Sequence, residues 1–145
     1  MSQSYFTVTE FQKVNVGTLQ QKIATLNTDG AISSSLSGRT FFLKPQSDTT
    51  GVAVILPSPA AGLNFNFIIS GTAASHSITS SSANIVGSIQ TSETTAGVSL
   101  LISSPKTSVT TSTGSKLGDS LSFISDGQKW FLSGAASTFT AVAYA

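Results

Sequence analysis

From about residue 38 onward the chain repeats one local pattern: four to eight residues of Val, Ile, Leu, Phe and Thr, bounded by Gly, Pro, Ser, Asp or Asn. Such runs read as short strands separated by turns. Eight to ten segments fit, the clearest being 39–44, 51–56, 63–70, 75–80, 85–90, 98–103, 106–111, 120–125, 129–133 and 138–144. Turn signals spaced at roughly 8–12 residues predict an all-β sandwich or barrel, whereas a βαβ protein would interpose helical periodicity. Alternation supports this locally. Leu63, Phe65 and Phe67 fall on one side with Asn64 and Asn66 on the other, and Leu121 and Phe123 alternate with Ser120 and Ser122 before an apparent phase shift at Ile124.

The segment before these runs reads differently. Val16, Leu19, Ile23 and Leu26 are spaced three, four and three, with Gln20, Gln21 and Lys22 opposite. That narrow stripe is compatible with a three-turn helix needing a partner surface, and equally with an irregular, partly extended arm. Residues 30–38, with Ser33, Ser34 and Ser35, read as a flexible connector. The expected organisation is an arm, or short helix, plus connector over 1–37 and a β-domain over 38–145.

Charge is scarce. Only 9% of residues are charged, against a usual share of about 25%, while 27 Ser and 19 Thr supply the polar surface. The seven Lys and Arg do not cluster, so the electrostatic footprint of a nucleic-acid binder is missing. No apolar run approaches the ~20 residues of a membrane helix. Residues 1–10 lack a basic region followed by an apolar one, which leads to the expectation of synthesis in a cytosol. With no cysteine, disulfides, thiolate nucleophiles and Cys-based zinc sites are all excluded.

Candidate chemistry is thin. His76 is the single histidine, and it sits among serines in a chain that has serines almost everywhere, with no Gly-x-Ser-x-Gly elbow. A surface or strand-end role is expected for it. The six carboxylates (Glu10, Asp29, Asp48, Glu93, Asp119 and Asp126) form no acid/base pair by spacing, and Asp119 and Asp126 both have turn explanations. No phosphate-cradling glycine loop and no set of metal ligands is present, so no cofactor is expected. Most Phe residues, Phe131 included, occupy alternating strand positions where core packing is the default. That leaves Trp130 as the one aromatic platform a sugar could use. It follows Asp126-Gly127, a strong hairpin signal in which both turn positions take φ > 0.

Two stretches carry a resemblance. Val54-Ile55-Leu56-Pro57-Ser58-Pro59-Ala60-Ala61-Gly62-Leu63-Asn64-Phe65-Asn66-Phe67-Ile68 resembles the strand–turn–strand "ITLPxPxxGLxFxFI" of virion structural proteins of marine bacteriophages and large DNA viruses. In it, Pro57 and Pro59 stop the first strand and Gly62 opens the turn into the second. Residues 118–134, with Gly118-Asp119, Phe123, Ser125-Asp126-Gly127, Trp130 and Gly134, resemble the "GDxxxFxSDGxxWxxxG" closing hairpin of the same proteins. Between them, Asn84, Gly87 and Ile89 match an Asn-x-x-Gly-x-Ile strand.

The resemblance implies a single jelly-roll-like β-sandwich of antiparallel strands, without enzymatic activity, carried on the capsid surface after synthesis in the host cytoplasm. Its implied partners are two further copies in a homotrimer and the major capsid protein or other virion proteins. The stripe of Val16, Leu19, Ile23 and Leu26 is then the candidate self-association element, and Pro57, Pro59, Gly62, Asp126, Gly127 and Trp130 are candidate structural turn and core residues. The leading expectation is a decoration, cement or minor capsid protein. The alternative is a fibre-head module that binds a receptor or host glycan.

Overall fold

The structure, a computed structural model, describes residues 22–71, 74–91, 99–137 and 142–144. Apart from one 3-10 turn over Ser34–Leu36, the regular elements are strands. In chain order these are β1 (Ile23–Leu26), β2 (Gly30–Ala31), β3 (Thr40–Leu43), β4 (Ala53–Ile55), β5 (Asn64–Ile69) and β6 (Ser77–Thr79). They continue with β7 (Ile85–Thr91), β8 (Ser99–Lys106), β9 (Ser108–Thr111), β10 (Ser120–Ser125), β11 (Trp130–Ala136) and β12 (Val142–Tyr144). A seven-stranded sheet in the order β1-β3-β5-β10-β11-β7-β8 packs on a five-stranded sheet in the order β12-β9-β6-β4-β2. The chain is therefore an all-β sandwich.

The first six strands alternate between the two sheets. β1, β3 and β5 lie side by side and parallel in the large sheet, and β2, β4 and β6 do the same in the small one. The chain thus winds as a coil of three rungs. The second half closes this coil on one side, with β10 antiparallel to β5 and β9 antiparallel to β6. Half of the strand pairings are parallel, including β7 with β11. The pairing is accordingly mixed rather than antiparallel, and the three-rung winding is unlike the antiparallel Greek keys of a jelly roll. Residue periodicity reports which face a side chain takes and is blind to which strand lies beside it, so the runs were legible and their order was not.

The core is one cluster between the sheets. Phe41, Phe65, Phe67, Phe123 and Trp130 come from β3, β5, β10 and β11 and are all essentially inaccessible to solvent. Their rings touch in sequence: Phe41 stacks on Phe67 at 5.6 Å, Phe67 meets Phe123 edge-on at 5.7 Å, and Phe65 contacts Trp130 at 5.7 Å. Val54, Ile78 and Val109 cover them from the small sheet and pair in one row across it. Full burial of one such side chain stabilises the fold by about 1.5–3 kcal/mol.

Three local expectations are corrected. Residues 23–26 are strand rather than helix, because Ile23 and Thr25 are β-branched and face out while Ala24 and Leu26 pack on the core. Ile23 and Leu26 therefore lie on opposite faces, and Val16 and Leu19 lie outside the described residues. The expected connector at 30–38 contains β2 and the 3-10 turn, which Ser33 caps by accepting from the Ser35 N–H, so sheet structure begins ahead of residue 38. Finally, the alternation in β10 does not shift at Ile124: Ile124 continues outward and Ser125 is buried.

Gly87 shows how tightly the strands are set. It sits in β7 opposite Leu132 of β11, beside a register shift in the β7–β8 ladder, with φ at +140°. A Cβ there would lie 1.9 Å from the Leu132 carbonyl oxygen. This accounts for the glycine in the Asn84-x-x-Gly87-x-Ile89 segment. Gly87→Ala is expected to lower stability by about 3 kcal/mol in urea unfolding, whereas Ser88→Ala on the outer face of the same strand changes it by less than about 0.5 kcal/mol.

Candidate functional site

Of the titratable groups that the sequence offered for chemistry, His76, Asp29, Asp119 and Asp126 are each occupied by backbone N–H groups. His76, immediately before β6, is completely buried. Its Nδ1 accepts from the Val52 N–H at 3.0 Å, its own N–H donates to Thr111 Oγ1 at 2.9 Å, and its carbonyl accepts from the Thr111 N–H. Nε2 is buried without a partner. An Nδ1 that accepts is unprotonated, so the ring is neutral, and burial pushes its pKa below the ordinary imidazole value. Among the described residues no carboxylate bonds to it. His76 therefore ties β4, β6 and β9 together; of the two expected places it takes the strand end and not the surface.

Asp119 is also buried, and it clamps two segments. Oδ2 accepts from the Lys116 N–H at 2.9 Å, and Oδ1 accepts from the N–H and the hydroxyl of Ser137 just beyond β11. Asp126 is exposed, and Oδ1 accepts from the Gln128 and Lys129 N–H groups, each at 2.8 Å. Those bonds, the Lys129 one foremost, hold its carboxyl below the usual carboxylate range. Because Ser125 pairs with Trp130, the hairpin loop has four residues, 126–129, and Asp126 serves as a side-chain acceptor rather than as one half of a two-residue turn. Gly127 takes the positive φ, +104°. Asp29 links the sheets at their edge by accepting from the Ala53 N–H and from Gln46 Nε2.

The two resembling stretches fold into one unit. β5 pairs with β10 over Phe65–Phe123 and Phe67–Leu121, and the Gly62 N–H donates to the Ser125 carbonyl. Gly62 has φ +86° in the turn closed by the Leu63 N–H to the Ala60 carbonyl. Pro57 and Pro59 occupy the connection, but β4 and β5 belong to different sheets, so this segment crosses the sandwich rather than forming a hairpin. These residues are scaffold. Trp130 is too: it is fully buried, its indole N–H has no partner, and it is no platform for a sugar. Its neighbour Phe131, expected in the core, is the exposed ring, 42% accessible. Odd and even positions of β11 face opposite ways, and the bulkier Trp takes the inside.

What the sequence did not single out is the outer face of the large sheet. Reading the register across all seven strands gives one unbroken row: Ile23, Thr40, Asn66, Ser122, Ser133, Ser88 and Leu101. The row beside it runs Thr25, Phe42, Ile68, Ser120, Ala135 and Gln90, and a shorter one runs Asn64, Ile124, Phe131 and Val86. None of these residues is charged. Of the ten charged residues described, Lys106 alone lies in a strand, at its last position. Four of the six exposed large hydrophobics (Ile23, Leu101, Ile124 and Phe131) are on this face.

Cavities offer less. Beside Asp119 lies a void of about 10 Å³, the size of one water molecule. An open groove between residues 44–48 and 70–71 carries Lys44 and Asp48 without a third ionisable group. Among the described residues no cluster of His, Cys, Asp or Glu could hold a metal ion, and no helix is long and apolar enough to cross a membrane. Compared with protein families, characterised proteins and solved structures, the chain matches none.

His76 yields a pH prediction. Its pKa is lower folded than unfolded, so the unfolded chain binds more protons just below the ordinary value of about 6.5. The stabilisation is complete above that pH and declines as pH falls below it. Thermal unfolding midpoints are expected to drop between pH 7 and pH 5, and His76→Gln should flatten that slope.

Proposed function

We propose that the chain is a non-enzymatic virion structural protein, a homotrimeric decoration, cement or minor capsid protein that sits on the capsid surface and stabilises the shell by contact with the major capsid protein. The observation that carries this reading is the placement of charge: of the ten described charged residues only Lys106 lies in a strand, at its last position, which leaves sheet faces of Ser, Thr, Asn, Ala and a few large apolar side chains. Such faces associate without burying unpaired ions, as a protein that works by surface contact requires. The resemblance of residues 54–68 and 118–134 to virion structural proteins supports the setting. The occupation of His76, Asp119 and Asp126 by backbone bonds supports the absence of catalysis. The alternative of a glycan-binding fibre head has lost the aromatic platform it would have used, Trp130.

Contacts of this kind depend little on ionic strength, because screening acts on charges. In virions purified from the source that encodes the chain and sedimented through density gradients, an antibody to it should find it with the particles both at low salt and at about 0.5 M salt. Absence from the particles at low salt would refute the virion assignment, and release by salt alone would refute apolar contact as its basis.

A further inference from the structure

Building on the reading that this protein works through its uncharged sheet faces, we infer that the outer face of the large sheet packs against the same face of a second copy of this chain about a two-fold axis. Ile124, Phe131 and Val86 lie in register on β10, β11 and β7, and Leu101 on the edge strand β8 ends the neighbouring row, opposite Ser88. Ile124, Phe131 and Leu101 are 55%, 42% and 68% exposed, far more than an apolar row on a monomer's sheet needs to be. Next to them lies a polar but uncharged band in which the Ser122 hydroxyl already donates to Asn66 Oδ1 at 2.7 Å.

The choice of a second copy rests on charge and area. A face that carries charge of one sign meets itself with like charges opposed and selects an oppositely charged partner; a face without charge meets a second copy of itself without that penalty. Across seven strands spaced about 4.8 Å and three rows about 7 Å apart, it covers about 600 Å² per copy. Doubled, that area reaches the lower limit of specific interfaces, about 1,200 Å² in total, so association should be reversible and visible across the micromolar range. Twisted sheets stack face to face at about 10 Å with their strands nearly aligned, a spacing that side chains of this size fill. The small sheet is a poorer candidate, since among the residues whose exposure is described Ile55 is its one exposed large hydrophobic. A three-fold join would need a different surface; used together, the two contacts make six copies.

The test is native mass by light scattering behind a sizing column, from about 1 to 100 μM. The expected mass is twice or six times the 14.8 kDa of one chain. Phe131→Lys and Ile124→Lys should each halve it while circular dichroism stays unchanged, and Ile55→Lys on the small sheet should not. Mixing Phe131→Lys with Phe131→Glu should restore the mass, an outcome that misfolded variants would not give. A monomer throughout, a trimer, or an even oligomer indifferent to Phe131 and Ile124 would each overturn the inference. A trimer that still sediments with virions would do so while leaving the structural reading intact, and loss from virions without loss of the two-fold oligomer would do the reverse.

Discussion

Everything else in this sandwich hangs on a slab of aromatic rings. Phe41, Phe65, Phe67, Phe123 and Trp130 come from four adjacent strands, and each ring touches at least one other. In a chain where about a third of the residues are Ser or Thr, few side chains have the volume to fill the space between two sheets. Concentrating the bulk in the middle of the larger sheet lets the periphery be built from small residues. It also explains the close backbone approaches: where strands carry little side-chain bulk, position is set by backbone contact, as at Gly87 against Leu132.

The second constraint is the placement of charge. A buried ion needs a partner, and this chain has too few of either sign to provide pairs. Apart from Lys106 at the end of β8, its described charged residues lie outside the strands, where Asp29, Asp119 and Asp126 accept from backbone N–H groups. Each carboxylate thereby does the work of a turn or clasp, so the acidic residues that look like candidates for chemistry are the stitching of the loops. The sheet faces are left uncharged as a direct consequence.

Much of this was legible in the residues. Alternation and turn chemistry located nearly every strand, since both are set by neighbours along the chain. Strand order was not, because it depends on which segments meet after winding, and the three parallel rungs leave no mark on a period of two. At Ile23 and Leu26 the helical alternative failed for a related reason: a spacing of three fits one helix face and also two opposite strand faces, and the β-branched Ile23 and Thr25 favour the latter. Trp130 and Phe131 exchanged roles because adjacent residues in a strand cannot both point inward, and sequence alone does not say which of the two does. The uncharged outer face emerges only when seven strands, distant in sequence, are laid in register.

The winding also orders the protein's assembly in time. The first three rungs join segments that leave the ribosome one after another, so each coil has its neighbour already present when it emerges. The other half of the large sheet has no such sequence. β7 runs parallel to β11 and has β8 on its far side, so Ile85 must wait for Trp130 before that part of the sheet is attached to the rest. The large sheet is therefore continuous only once the β10–β11 hairpin lies between the coil and the β7–β8 pair.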